Sequence, residues 1–246
     1  MSVGLKNEFD FIKVINNSYI NELNPILQDL ILCLFPNIQD NDIIYAKKYG
    51  KYAKTDIVVT VNDINKGISI KTGYNNSVHI EPIKKFEDKL ISYGLSYNYI
   101  DLFKRYIYSD GSNDNTGLNR LSNADYLVDH KNEICELNVE FDKLKNILIK
   151  RFLIETDIKY KVSVDAFIHG VPNDFLWVTS EEVLSFLENK NANSNSLHSS
   201  NLYIQSWNKN LIRNNKYEHC RDYIQVKWFN MFNDMIEIMS NRNLNM

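Results

Sequence analysis

Residues 56–71 of this 246-residue chain have the sequence DIVVTVNDINKGISIK. Two runs rich in β-branched residues, 57–61 and 68–71, flank a polar segment that contains Asn, Asp and Gly. This pattern is typical of two strands joined by a turn. The stretch therefore predicts an antiparallel hairpin, and it is the clearest β signal in the chain.

The hairpin also predicts what each face of the sheet carries. If the turn comprises residues 63–66, Thr60 lies opposite Ser69. Side chains alternate between the two faces of a strand, so Asp56, Ser69 and Lys71 would share one face. The other face is apolar and consists of Ile57, Val59, Val61, Ile68 and Ile70.

The regions around the hairpin predict the fold class. Apolar residues recur at helical spacing in residues 7–35, 80–94, 97–108 and 134–153, and at strand spacing in residues 161–168 and 175–179. A chain of 246 residues can form one large domain. We therefore expect a single α/β domain over residues 1–246, with a mixed central sheet flanked by helices.

Composition excludes several classes of protein. The content of 44% hydrophobic and 24% charged residues is ordinary for a globular protein, and only eight glycines argue against a glycine-rich phosphate loop. The three cysteines form no CxxC pair and the five histidines are scattered, so neither a zinc site nor a disulfide framework is indicated. No signal peptide or apolar run of about 20 residues is present, which predicts a cytoplasmic protein without a membrane span.

The net charge of -3 argues against nucleic-acid binding through overall charge. A local basic groove beside a cluster of metal-binding carboxylates remains compatible with this value. Function therefore has to be argued from local constellations of residues.

The polar face of the hairpin is suited to phosphodiester hydrolysis. A carboxylate, a hydroxyl and an ammonium on a largely covered sheet face are costly unless they are paired or used. A hard cation such as Mg²⁺, held by carboxylate oxygens, polarises a phosphate and lowers the pKa of an attacking water. A lysine beside the metal orients that water or stabilises the transition state by its charge. Asp56 supplies one carboxylate for the cation and Lys71 supplies the lysine, and a second carboxylate is expected nearby.

At this point the chain resembles a known group of enzymes. The segment with Lys54 and Asp56, the hydrophobic hairpin, and the triplet from Ser69 to Lys71 resemble the PD-(D/E)xK nuclease superfamily, which includes many type II restriction endonucleases. The resemblance covers about residues 20–95. It implies a restriction-endonuclease-like core and Mg²⁺-dependent cleavage of double-stranded DNA, with Asp56 as a metal ligand and Lys71 as the group that positions or activates the water.

The chain departs from the family pattern at one position. The family usually has an acid two residues before the lysine, and Ser69 occupies that position here. Some members carry the acid on the following helix instead, which points to Glu81 as the second metal ligand. Members also often have an acid on the first helix, and Glu22, with Asp29 behind it, is the candidate for a supporting role.

Each of these residues also has an ordinary structural interpretation. Asp56 could cap a strand or pair with Lys54, and Lys71 could be a solvated strand end. Glu81 could be an acid favoured by a helix N-terminus. Glu22 could be a surface glutamate.

Two segments are candidates for DNA contact. Residues 201–228 combine bases, amides and aromatics, and Asn, Gln and Arg read base edges while Lys and Arg bind phosphates. The DNA contacts expected in this segment are Trp207, Asn208, Lys209, Arg213, Arg221 and Lys227. A second basic patch precedes Asp56, where Lys51 and Lys54 would bind the DNA backbone.

The sequence thus predicts a metal-dependent DNA endonuclease of the type II restriction kind. A two-fold target would call for a homodimer, and the family resemblance implies a partner methyltransferase. Three alternatives stay open: an inactive nuclease fold that only binds DNA, a repair or recombination nuclease that recognises DNA structure, and an interaction protein without a nucleic-acid role.

Overall fold

The computed structural model describes residues 2–50, 53–73, 76–155, 161–192, 194–207 and 218–244. In chain order its elements are α1 (Val3–Ile15), α2 (Pro25–Leu34), β1 (Tyr45–Lys48), β2 (Ile57–Val61), β3 (Ile64–Lys71), β4 (Ser77–Pro82), α3 (Ile83–Ser92), α4 (Tyr97–Tyr108), α5 (Asn123–Lys143), α6 (Lys145–Ile149), β5 (Ala166–Val171), β6 (Asp174–Thr179), α7 (Ser180–Glu188), β7 (His198–Ser199), β8 (Leu202–Ser206), β9 (Tyr223–Trp228) and α8 (Met231–Leu244). Short helical turns lie at Ile20–Glu22, Lys150–Ile154 and Glu218–Cys220. None of the helices in these ranges is both long and apolar enough to cross a membrane.

The chain forms two compact units, each assembled from separate segments. Unit 1 comprises Met1–Asn76, Leu153–Phe186 and Asn230–Met246, and unit 2 comprises Ser77–Phe152 and Leu187–Phe229. The sequence analysis placed no boundary within residues 1–246. The chain passes between the units at residues 76–77, 152–153, 186–187 and 229–230.

Unit 1 is built on a five-stranded mixed sheet with the order β1-β2-β3-β5-β6. Strands β3 and β5 run parallel, and the other neighbours are antiparallel. Helices α1 and α2 supply apolar side chains to the core beneath one face of this sheet. The five apolar hairpin residues named above all lie in that core, as predicted. The mixed α/β class is therefore confirmed.

The turn of the β2–β3 hairpin is shorter than predicted. Val61 pairs directly with Ile64, so the turn consists of Asn62 and Asp63 alone. Their φ angles are 47° and 65°. Positive φ at both central residues is the geometry of the tightest hairpin turns, and Asn and Asp tolerate it better than most residues. The prediction of a turn over residues 63–66 was wrong for this reason.

The shorter turn changes the pairing but not the faces. Thr60 lies opposite Asn65 instead of Ser69. The partner of Thr60 shifts from Ser69 to Asn65, an even number of residues, and side chains alternate between the faces with a period of two. Ser69 and Lys71 therefore stay on the face opposite the core, as predicted.

Unit 2 is built on a four-stranded antiparallel sheet with the order β4-β9-β8-β7. One face is buried and carries Leu202, Ile204, Ile224, Val226 and Trp228. An aromatic cluster of Phe86, Phe103, Phe141 and Phe152 fills the helical part of the core of this unit.

Several element boundaries differ from those predicted. The single helix expected over residues 134–153 is instead α5, α6 and a helical turn, and α5 itself departs from helical geometry at His130. The strand expected over residues 161–168 begins only at Ala166. Strand β9 was not among the predicted strands, although its residues alternate between buried and half-buried positions. The helix expected from residue 80 begins only at Ile83, because residues 77–82 form strand β4, so Glu81 lies on a strand and not on a helix.

Candidate functional site

The polar face of the hairpin in unit 1 is organised around the carboxylate of Asp56. Asp56 immediately precedes β2, and its backbone N–H donates to the carbonyl of Ile68 at 2.9 Å. Its Oδ2 atom accepts a hydrogen bond from the backbone N–H of Ile70 at 2.7 Å and one from the hydroxyl of Ser69 at 3.2 Å. The side chain of Asp56 thus continues the hydrogen bonding with β3 before the first residue of β2.

Lys71 completes this group. Its Nζ atom lies 3.8 Å from Oδ2 of Asp56, and the two side chains are only 20% and 17% exposed. Ser69 is more deeply buried, at 4%. A separation of 3.8 Å exceeds a hydrogen-bond length, so the attraction is electrostatic and the ammonium keeps its donors for other groups. The prediction that Asp56, Ser69 and Lys71 share one face is confirmed.

His169 lies beside this group, and the sequence analysis missed it. Strand β5 pairs in parallel with β3, and His169 is the cross-strand partner of Lys71. Its neighbour Ile168 points into the core, so His169 lies on the same face as Lys71. The alternation of side chains between the two faces of β5 could have indicated the face on which His169 lies. The sequence could not show that β5 pairs with β3.

The hydrogen bonding of His169 defines its tautomer. Its Nε2 atom lies 3.0 Å from the carbonyl oxygen of Gly73. A carbonyl oxygen only accepts, so Nε2 carries the proton and Nδ1 holds the lone pair in the neutral ring. The ring of Phe232 packs against it with centroids 5.3 Å apart.

Glu81, the predicted second metal ligand, is engaged within unit 2. Arg151 contacts both of its carboxylate oxygens, and Nε2 of His79 lies 2.9 Å from Oε1. The side chain is only 3% exposed. Burial raises the pKa of Glu81, but the close contact with His79 and the charge of Arg151 outweigh it and hold this pKa below its ordinary value. These contacts favour a structural role for Glu81 over metal binding.

Glu22 also has a local role. Its carboxylate accepts a hydrogen bond from the backbone N–H of Tyr19 at 2.8 Å and caps a short helical turn. Across the described ranges, no group of three or more His, Cys, Asp or Glu side chains is placed to hold a metal ion. Of the two predicted metal ligands, Asp56 is the one whose carboxylate lies beside Ser69 and Lys71 in unit 1.

The predicted DNA contacts other than Arg221 fall into three groups. Lys51, Asn208, Lys209 and Arg213 lie outside the residues that the structure describes. Lys54 donates to the backbone carbonyl of Glu155 in unit 1. Trp207 and Lys227 are half-buried at the sheet of unit 2.

Arg221 differs from the other predicted DNA contacts because it is completely buried. Its Nη2 atom lies 2.7 Å from Oδ2 of Asp110, and its Nε donates to Oδ1 of Asn115 at 2.6 Å. A guanidinium held in this way is not presented to a phosphate. These contacts favour a structural role for Arg221 over the predicted DNA contact.

The unit 1 group places a carboxylate, a hydroxyl, an ammonium and an imidazole on one sheet face. A carboxylate can hold a hard cation, an ammonium can stabilise negative charge, and an imidazole can exchange a proton. Comparison of the chain with protein-family models and with curated proteins finds no match.

Proposed function

We propose that this protein is a metal-dependent endonuclease that hydrolyses DNA phosphodiester bonds. The observation that carries the proposal is the pairing of Asp56 with Lys71, 3.8 Å apart on a largely covered sheet face. Asp56 would bind Mg²⁺, and Lys71 would position the attacking water and stabilise the charge that develops on the phosphate. Ser69 occupies the position at which the PD-(D/E)xK pattern usually has an acid.

The small number of carboxylates at Asp56 is compatible with magnesium. Mg²⁺ is commonly held by one or two carboxylates together with substrate phosphates, and it keeps several waters. When bound, the ion would polarise the phosphate and lower the pKa of a water ligand. Asp56 fits this role because Oδ2 is fixed by Ile70 and Ser69, which orients Oδ1, and no residue that the structure describes donates a hydrogen bond to Oδ1.

The experiment that tests the proposal is cleavage of a supercoiled plasmid with Mg²⁺ or Mn²⁺. We expect metal-dependent nicking or linearisation that falls by about 100-fold or more in Asp56→Asn and Lys71→Met, as for other groups that stabilise charge in a transition state. Lys13→Met, at an exposed lysine of α1, is the matched control and should cut normally. Activity that survives both Asp56→Asn and Lys71→Met would refute the proposal.

A second candidate function is DNA binding by a nuclease fold without catalysis. It is favoured by Ser69 at the acid position and by the engagement of Glu81 with Arg151 and His79. It predicts salt-dependent DNA affinity in EDTA and no cleavage with either metal ion.

The kind of nuclease is decided by the products. Cutting at a fixed palindrome would support a type II restriction enzyme acting as a homodimer, for which we also propose a partner methyltransferase. Cutting of branched or nicked substrates without a fixed sequence would support a repair or recombination nuclease instead.

A further inference from the structure

The sheet of unit 2 has a second face that is only partly covered. Strands β8 and β9 alternate strictly between buried and half-buried residues. The side chains that strand pairing places on the half-buried face are Ser77, Ile80, Pro82, His198, Tyr203, Gln205, Tyr223, Gln225 and Lys227. We call this face the β8–β9 platform. Its strands β8 and β9 lie within residues 201–228, the segment for which the sequence predicts contacts with double-stranded DNA.

Aromatic rings lie at both ends of the platform. The rings of Trp207 and Tyr223 have centroids 5.5 Å apart at one end. Those of Tyr203 and Phe229 have centroids 5.0 Å apart at the other. Phe229 is 60% exposed. Tyr203 and Trp207 are four residues apart, which corresponds to about 13 Å along an extended strand.

Amides occupy the middle of the platform. Nε2 of Gln205 donates to Oε1 of Gln225 at 3.2 Å, and Nε2 of Gln225 donates to the hydroxyl of Ser77 at 2.9 Å. These bonds hold the two amides in place while each retains hydrogen-bonding capacity. Glutamine amides in such fixed positions can pair with the edges of bases.

The charge of the platform is positive, in contrast to the chain as a whole. Lys227 contributes a cation, and none of the platform side chains is a carboxylate. The chain as a whole has 31 acidic and 28 basic residues. A surface without carboxylates in a slightly acidic protein is complementary to a polyanion.

We propose that the β8–β9 platform binds single-stranded nucleic acid, with unpaired bases stacked on the aromatic rings at its two ends and a phosphate bound by Lys227. Aromatic side chains combined with a cation are the recurring elements of single-strand binding, because every base presents a π-face. In a duplex these faces are stacked on neighbouring bases and are not accessible to a sheet. The platform therefore selects single strands over duplexes.

This binding does not rest on the proposed nuclease activity. The platform belongs entirely to unit 2, whereas Asp56 and Lys71 belong to unit 1. Binding can be measured in EDTA, where no metal-dependent cleavage occurs. A protein that binds single strands in EDTA but does not cut DNA with Mg²⁺ or Mn²⁺ would support the platform and refute the nuclease. A protein that cuts DNA but does not bind single strands would refute the platform alone.

The experiment is fluorescence anisotropy of a labelled mixed-sequence single-stranded DNA, its duplex and the matching RNA strand, with the full chain in EDTA. We expect tighter binding of the single strands than of the duplex. Tyr203→Ala and Trp207→Ala should each weaken single-strand binding by about 10-fold, the usual effect of removing one stacking partner. Lys227→Ala should reduce the slope of log K against log salt by about 0.7.

Controls separate a local effect from a loss of folding. Tyr97→Ala, at a 75% exposed tyrosine of α4, and Lys131→Ala, at an exposed lysine of α5, remove the same residue types elsewhere in unit 2 and should bind normally. Thermal melts would confirm that each variant is folded.

Tryptophan fluorescence supplies an independent readout. Trp177 and Trp228 are 3% and 0% exposed, so quenching on addition of unlabelled oligonucleotide should come from Trp207 and disappear in Trp207→Leu. Absence of single-strand binding, tighter binding of the duplex, or affinity unchanged in folded Tyr203→Ala and Trp207→Ala would overturn the proposal.

Discussion

Nζ of Lys71 lies 3.8 Å from Oδ2 of Asp56, the same oxygen that accepts the backbone N–H of Ile70. One carboxylate oxygen thus serves as the partner of a charge and as an anchor for the end of β3. Any substitution of Asp56 changes both the electrostatics of this face and the hydrogen bonding of the strand. Stability and activity must therefore be measured separately.

Asp56→Ala should destabilise the protein by about 1–3 kcal/mol. The substitution leaves the buried N–H of Ile70 and the hydroxyl of Ser69 without their acceptor, and an unsatisfied buried donor costs about this much. Urea unfolding followed by circular dichroism measures the change. Asp40→Ala, at an exposed aspartate before β1, should stay within about 0.5 kcal/mol of wild type. Equal stabilities of the two variants would show that the bonds to Asp56 are unimportant.

Ser69→Asp should make the stability of the protein respond to metal ions. The Ser69 hydroxyl lies 3.2 Å from Oδ2 of Asp56, so the new carboxylate would repel Asp56 in EDTA and lower the melting temperature. Mn²⁺ or Mg²⁺ bridging the two carboxylates should reverse this loss, since a ligand at 100 times its Kd stabilises by about 2.7 kcal/mol. Ser69→Asn controls for size without charge. A Ser69→Asp protein whose melting temperature ignores both ions would contradict a metal site at this position.

Glu81→Gln should lower stability at neutral pH and flatten its dependence on acid. The pKa of Glu81 in the folded protein is lower than its ordinary value of 4.5. Its stabilisation is therefore fully present above about pH 4.5 and is lost as the pH falls through the lower folded pKa. Removing the charge takes the carboxylate of the ion pair away from the buried Arg151, and breaking a buried ion pair costs about 3–5 kcal/mol.

Urea unfolding of wild type and Glu81→Gln at about pH 7 and about pH 3.5 tests this prediction. The difference in stability should be larger at the higher pH. A difference that is constant or grows in acid would mean that Glu81 is not ionised within the pair with Arg151.

The sequence was informative where short-range patterns decide the structure. Asn24 caps the start of α2 through a local contact, because its side chain accepts the backbone N–H of Leu27. The faces of the hairpin were also predictable, since alternation depends only on parity. The length of its turn was not, because the segment after Asp63 is equally compatible with a longer loop or with continued pairing.

Long-range proximity was beyond the sequence. His169 lies beside Lys71 only because β5 pairs in parallel with β3, and nothing local specifies that partner. Arg221 was interpreted as a surface cation because its buried partner Asp110 is 111 residues away. Arginine chemistry is the same in both settings, and only burial distinguishes a phosphate contact from an internal ion pair.

Gly67→Ala should destabilise unit 1 by about 3 kcal/mol, at the upper end of the usual cost of overpacking. A Cβ atom at Gly67 would lie 2.0 Å from the backbone oxygen of Ser163 and 2.8 Å from Oγ1 of Thr55. Backbone cannot move aside as a flexible side chain can, and the N–H of Gly67 is also held by Asp165 at 2.8 Å.

The matched control is Gly4→Ala, because among the described residues no atom other than those of its chain neighbours and its own helix backbone lies within 4 Å of a Cβ at this position. Alanine is a better helix former than glycine, so this variant should be neutral or more stable by up to about 1 kcal/mol. Equal effects of the two substitutions would exclude the close approach of Ser163 as the cause.

Arg221→Ala and Lys227→Ala should have opposite effects on stability and binding. Arg221 and its partner Asp110 are both 0% exposed, and removal of one member of a buried ion pair costs about 3–5 kcal/mol. Burial and the neighbouring charge of Arg221 lower the pKa of Arg120 to about 10, so loss of Arg221 relieves Arg120 but takes away the guanidinium that contacts Oδ2 of Asp110. Lys227→Ala removes a half-buried cation on the platform and should change stability by less than about 1 kcal/mol.

Chemical unfolding combined with anisotropy at a temperature where all proteins are folded separates the two residues. Asp110→Asn with Arg221→Ala should recover part of the stability lost by Arg221→Ala alone, because the orphaned carboxylate is removed. Folded Arg221→Ala should keep the nucleic-acid affinity and salt slope of wild type, whereas Lys227→Ala should lose both in part. If Arg221→Ala remained as stable as wild type and bound nucleic acid less well, Arg221 would be a direct contact and its burial against Asp110 would not persist in solution.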